Sequence, residues 1–219
     1  MASFSPRRSL RPLKGLAAAL CLAVAVLGCG RAKQGVAASR LKSKVAEERR
    51  LGAFELGSLG PAAASTAADL GAALQDKDRN VRFWSLYALG QIGPEAGAQA
   101  PAVSALLASS ERETRDLALN VLGRLGESGA AALVSELGQK DRERRQRAAQ
   151  TLAGLGEGAE GALMAGLKSE DHRVRYWCAW AIAQGKALAP TTALALSKAA
   201  SADPDPDVRA MAVQALGKR

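Results

Sequence analysis

Few side chains in this sequence of 219 residues are equipped for covalent or metal chemistry. The thiols are Cys21, Cys29 and Cys178, and the single histidine is His172. No two of them stand at the spacing of a zinc site, a redox dithiol or a Cys–His catalytic pair. His172 reads as an exposed turn residue and Cys178 as a buried, inert thiol. The recurring glycines follow helical stretches rather than strands, so they do not form a phosphate cradle. What remains is the chemistry of contact, carried by large rings and guanidinium groups, which binding surfaces favour. The rings fall in two runs, Phe83, Trp84 and Tyr87, then Tyr176, Trp177 and Trp180. Between them lie Arg142, Arg144, Arg145 and Arg147. No catalytic residue, cofactor or metal site is expected, and the chain reads as a non-enzyme.

The elements that must position these groups repeat along the chain. Arg49, Arg82, Arg115, Arg145, Arg175 and Arg209 are equivalent points of one frame, separated by 33, 33, 30, 30 and 34 residues. Four residues before the last five stands an acid (Asp78, Glu111, Asp141, Asp171 and Asp205), placed to cap the helix that follows. A Leu-Gly or Ile-Gly pair closes most of these helices, because glycine accepts the backbone conformation a helix needs at its end. Shorter apolar helices lie between them, at 101–108, 130–137, 161–167 and 190–199. Each unit is therefore a helix A, a turn and a helix B. Within the second helix B, Val81, Ser85, Ala88, Leu89 and Ile92 share one stripe at about 100° per residue and form the core face. Phe83 and Tyr87 lie opposite that stripe and Trp84 on its flank. Tyr176, Trp177 and Trp180 occupy the same three frame positions, and Phe54 aligns with Tyr87 and Trp180. The aligned arginines and acids are expected to link adjacent repeats.

Composition agrees with closely packed helices. Hydrophobic residues make up 48% and aromatics only 4%, the apolar mass being mostly Ala, Leu and Val. The net charge is +9, but Arg7, Arg8, Arg11 and Lys14 fall in the first 28 residues with no acid beside them, leaving +5 for the rest. That excess is too dilute to suggest nucleic acid, and none is expected as a partner.

The beginning of the chain is an address. A basic stretch precedes about 13 uncharged residues, Gly15 to Leu27, too short to span a bilayer as a helix. It ends in Val26-Leu27-Gly28-Cys29, and there the chain resembles bacterial lipoproteins. The resemblance implies lipidation of Cys29 and cleavage after Gly28, with loss of Cys21. Plain secretion and an uncleaved anchor are the alternatives. The expected divisions are a signal peptide at 1–28, the lipidated cysteine with a short tether at 29–41, and a repeat domain at 42–219. The expected place is the bacterial cell envelope, outer membrane rather than inner, because Gly30 replaces the Asp that retains enteric lipoproteins.

The repeat itself resembles HEAT repeats, in the short form associated with phycobiliprotein lyases. Asp78–Gly93 carries the resemblance best, matching Asp-x-x-Val-Arg-x-x-Ala-x-x-Ala-Leu-Gly-x-Ile-Gly with Ser85 in place of the first Ala. It implies an all-α fold, a right-handed α-α superhelix of about six helix pairs, whose B helices line a concave face. Stacked pairs share one core and present an extended surface. The implied function is an envelope-anchored scaffold for a protein or peptide, of unstated oligomeric state. Phe83, Trp84, Tyr87, Arg144, Arg147, Tyr176, Trp177 and Trp180 are its candidate contacts. Glycan binding by the rings is the first alternative, and a lyase-like enzyme subunit the second. The final repeat, lacking a polar cap, is expected to fray or to be covered by a partner or second copy.

Overall fold

The computed structural model describes residues 31–185 and 189–217. The expected signal peptide and Cys29 lie outside the described residues. Among those described there is no strand, and helices alternate along the chain. The first, α1, covers 31–41. It is followed by α2 (Ala46–Leu59), α3 (Ala67–Ala73), α4 (Arg79–Ile92), α5 (Ala100–Ala105), α6 (Arg112–Arg124) and α7 (Gly126–Glu136). Then come α8 (Arg142–Leu155), α9 (Glu160–Gly166), α10 (His172–Gln184), α11 (Pro190–Ala202) and α12 (Pro206–Gly217). The even-numbered B helices pack in sequence, α2 on α4, α4 on α6, α6 on α8, α8 on α10 and α10 on α12. The A helices form a second layer, α5 on α7, α7 on α9 and α9 on α11.

The B helices begin and end as their residues dictate. Asp78, Asp141, Asp171 and Asp205 accept hydrogen bonds from backbone amides of the first turn. Glu111 departs from that expectation: it caps nothing and instead accepts from Thr114 Oγ1 at 2.9 Å. Its extra methylene carries the carboxylate past the amides. At the far end, Gly60 and Gly93 take φ +55° and +82°, which only glycine tolerates easily. Each is followed by a proline and a short 3₁₀ turn leading into the next A helix.

The predicted core stripe is correct. Val81, Ser85, Ala88, Leu89 and Ile92 are buried, joined by Leu86. One cluster of buried Ala, Leu, Val and Ile side chains runs from Ala37 to Ala215. The expected tether at 29–41 needs correction. Over 31–41 the chain is helical, and its Ala37 and Leu41 are buried in the common core. Gly52 makes this docking possible: a Cβ there would lie 2.6 Å from both Ala37 O and Leu41 N. Gln34 bonds Ser65, Arg40 pairs with Glu55, and Lys42 pairs with Asp69 at 3.0 Å.

The role expected of the aligned arginines also needs correction. Nη1 of each donates to two carbonyls of its own A–B turn, five and six residues earlier: Ser43 and Lys44 for Arg49, Asp76 and Lys77 for Arg82, Ser109 and Ser110 for Arg115. Arg145, Arg175 and Arg209 repeat the pattern. These carbonyls point away from any helix ladder and need a donor. Only Arg49 and Arg175 also reach the next repeat. Arg49 grips Asp76 through Nε and Nη2 at 2.7 and 2.9 Å, and Arg175 grips Asp203 at 2.8 and 2.9 Å.

Candidate binding face on the B helices

The two aromatic runs stand on the exposed side of the B layer, because their frame positions oppose the buried stripe. The first run is a cluster built across two repeats. Trp84 sits at its centre, edge-on to Phe83 at 5.4 Å, Tyr87 at 5.5 Å and Phe54 of α2 at 5.0 Å. These separations and near-perpendicular planes suit the ring quadrupoles. Trp84 is half-buried against the core, whereas Phe54, Phe83 and Leu51 are 44%, 43% and 43% exposed. A shallow recess of about 500 Å³ opens here, lined by Glu47, Glu48, Arg50, Leu51, Phe54 and Trp84.

The second cluster is confined to α10. Trp177 lies 5.6 Å from Tyr176 and 5.4 Å from Trp180, again edge-on. All three rings are half-buried and rest on the core. The two clusters thus share a plan, a central Trp with flanking rings, but the first offers more open apolar surface. Phe54 is a member of the first cluster that does not stand among the candidate contacts read from sequence. Its signal was the frame position it shares with Tyr87 and Trp180.

Between the clusters the face is polar and ion-paired. Asp116 and Asn120 of α6 and Gln146 and Gln150 of α8 are exposed. Arg144 pairs with the buried Glu136, which also accepts from Ser104 Oγ at 2.9 Å. Arg147 pairs with Asp116 of the neighbouring repeat and with Glu143 at 3.1 Å. Two of the four arginines in the run, Arg144 and Arg147, are therefore paired with acids of α6, α7 and α8, while Arg145 bonds the carbonyls of its own turn. The structure gathers the aromatic candidates into two clusters and sets Arg144 and Arg147 between them.

Remaining reactive groups are placed as follows. Cys178 is fully buried, and loss of hydration pushes its thiol up to about 12. It packs against Gly166, where a Cβ would stand 2.4 Å from its Sγ. His172 is exposed at the start of α10, 3.9 Å from Asp171. Among the described residues no helix is long and apolar enough to cross a membrane. In the final repeat, Val208, Met211, Ala212 and Ala215 are buried on α12, while Val213 and Leu194 are exposed.

The HEAT-repeats family matches residues 36–123 and 130–217. An archaeal HEAT-like repeats protein from Thermococcus onnurineus superposes with a TM-score of 0.50 at 13% identity, over 91% of each chain. The complex of CpcE and CpcF of phycocyanin lyase from a Nostoc species gives 0.46 at 21% identity, over 82% of this chain and 74% of that one. A designed armadillo repeat protein in complex with a (KR)4 peptide gives 0.43 at 18% identity, over 83% and 97%. None of the curated proteins compared with the chain matches it.

Proposed function

The chain belongs to the HEAT-repeat family, and we propose that it is a scaffold, held in the bacterial envelope through Cys29, that binds a protein or peptide across its B-helix face. It acts by holding a partner, not by catalysis. The observation that carries this reading is the pair of Trp-centred clusters on the same face of the B-helix layer. Half-buried rings are fixed before a partner arrives, so little side-chain freedom is lost on binding. Their flat surfaces combine apolar area with polar edges, as interface anchors do. Exposed carboxamides between them, Asn120, Gln146 and Gln150, add groups able to bond a peptide backbone.

Anchoring rests on the sequence at Val26–Cys29, and it leaves the repeat body at the end of a lipidated chain. Because α1 belongs to the core, little chain separates Cys29 from the folded body, and the scaffold would sit close to the membrane surface. Substituting Cys29→Ser should release the protein from the membrane fraction and abolish labelling by a radioactive fatty acid. Retention with unchanged labelling overturns the anchor.

The binding reading is tested by pull-down from envelope extract, comparing the native chain with a Tyr87→Ala/Trp180→Ala variant whose helix content has been checked. A protein retained by the first and lost by the second supports the face. Identical retention by both, or by neither, overturns it and directs attention to glycan arrays, where stacked rings would recognise sugar faces.

A further inference from the structure

We propose that the cleft between α6 and the start of α8 receives a carboxylate from an acidic segment of the partner, held by the guanidinium of Arg115. The inference rests on the scaffold reading and adds the partner's chemistry. At each of the six aligned arginines, Nη1 is engaged with the turn carbonyls. At Arg49 and Arg175 the remaining edge, Nε with Nη2, holds the carboxylate of Asp76 or Asp203. Those acids occupy one frame position, and their carbonyls accept from Arg82 and Arg209. The residue at that position opposite Arg115 is Gln139, whose carbonyl likewise accepts from Arg145. The backbone is in place, but the carboxylate is not. Among the described residues nothing bonds Nε or Nη2 of Arg115.

A cleft of about 330 Å³ stands there, with Leu107, Ser109, Leu119, Arg115, Arg144 and Arg147 in its lining. Asp141 and Glu143 line it too, but both are engaged. Asp141 accepts from the amides of Glu143 and Arg144, and Glu143 pairs with Arg147. Arg144 is held by Glu136, and its Nε is closed to solvent, so the open edge in this cleft is that of Arg115. The two aligned arginines that meet a serine at that position, Arg82 at Ser109 and Arg145 at Ser169, differ. Arg82 stands beside Glu111 and Glu113 in a recess of only about 30 Å³, and Nε of Arg145 is sealed from solvent. Arg115 combines an unbonded planar edge with room for a side chain. A carboxylate fits that edge with two parallel hydrogen bonds, as the two filled sites do.

Gln139→Asp is the discriminating variant, because it supplies the absent carboxylate from within the chain and leaves the turn bonds intact. Fluorescein-labelled hexaglutamate is titrated into the full-length chain in mild detergent, read by anisotropy. The native chain should bind it, and Gln139→Asp should bind at least about tenfold more weakly while melting no lower. Arg115→Lys, which keeps the charge and a donor but not the fork, is the second variant and should weaken binding similarly. Equal binding by a folded Gln139→Asp variant, or no binding by the native chain, overturns the proposal. Displacement of the peptide by an equal concentration of inorganic phosphate also overturns it, reassigning the cleft to a small oxyanion. An envelope partner lost with Tyr87→Ala/Trp180→Ala but untouched by Gln139→Asp would leave the scaffold reading standing and remove this one.

Discussion

The joints at the two ends of the B layer are built differently from the joint in its middle. At α2/α4 and at α10/α12 a buried arginine of one repeat grips an aspartate of the next through two hydrogen bonds, and the helices pack along much of their length. At α6/α8 the packing is sparser, the equivalent arginine bonds only its own turn, and a cleft opens beside it. The repeats are joined there by Arg147 and half-exposed Asp116, an ion pair that solvent screens. An aromatic cluster also occupies each tight region and none the loose one. One helical frame therefore serves two purposes. Where the turn offers Asp-x-Asp, a repeat is locked to its neighbour. Where it offers Gln139, opposite Arg115, the same arginine keeps an open edge.

The largest effect expected is from Arg175→Ala. Its side chain and that of Asp203 are 10% and 6% exposed, so the change strands a buried carboxylate as well as two turn carbonyls. Removing one partner of such a pair costs about 3–5 kcal/mol. Amide exchange should accelerate through α10, α11 and α12. Arg115→Ala, which breaks turn bonds only, should cost about 1–2 kcal/mol. Equal losses from the two variants would erase the distinction between end and middle.

Next comes Gly52→Ala. The new methyl would meet backbone atoms of Ala37 and Leu41 at 2.6 Å, and backbone cannot swing aside as a flexible side chain can. Undocking α1 should cost about 2–3 kcal/mol, by analogy with other overpacked sites. Gly154→Ala in α8 is the control, since nothing beyond the adjoining backbone of its own helix lies within 4 Å of the place its new methyl would take and an alanine favours the helix by about 1 kcal/mol. Chemical denaturation of both variants checks the pair, and a neutral Gly52→Ala would show that α1 is not part of the end structure.

Acid should loosen the end locks in a defined window. The bond from Arg49 holds the Asp76 carboxyl below its ordinary range. Burial pushes Asp203 up, but bonds from Arg175 and the Asp205 amide outweigh it, and the net direction is down. A carboxylate with a lowered folded pKa contributes stability that is complete above its unfolded value, about 3.9. That contribution disappears as pH falls through the folded value. The difference in melting temperature between the native chain and Asp203→Asn should therefore be widest near neutrality and close below about pH 4. A difference that persists unchanged into stronger acid would mean that shape rather than charge makes the lock.

Much of this was legible in the residues. The arginine frame, the aspartate caps, the closing glycines and the core stripe follow from spacing and side-chain type, because local backbone chemistry decides them. The docking of α1 was not legible. Its buried face holds only Ala37 and Leu41, too little to stand out in a small, polar stretch, and its partner is an absence of side chain at Gly52. Pairing of Arg144 and Arg147 was hidden for a related reason: Glu136 and Asp116 lie on other helices, and the run of arginines showed only its own charge. The end locks stand in plain view as Asp76-Lys77-Asp78 and Asp203-Pro204-Asp205. The second aspartate of each has a local role as a cap, whereas the first finds its partner 27 or 28 residues back, beyond the reach of local spacing.

The smallest effect sharpens the comparison from within the middle. Among the B helices with an acid at the capping position, α6 has the one whose acid does not cap. The backbone at Glu111, φ −80° and ψ 118°, is already that of Asp78, Asp141 and Asp171. Glu111→Asp should therefore place a carboxylate oxygen on the first-turn amides without any backbone adjustment, adding about 1 kcal/mol. Against it stands the pair that Glu111 makes with Arg79 at 3.3 Å, whose arginine is 60% exposed and which contributes a few tenths of a kcal/mol at most. The cap should win, with slower exchange at the amides of Glu113 and Thr114 and a melting temperature raised by a degree or more. The hexaglutamate affinity should stay the same, because the cap strengthens α6 without touching the edge of Arg115. A variant that gains stability and loses the peptide would instead show that the middle joint binds by yielding, and that its looseness, not its open arginine, is the working feature.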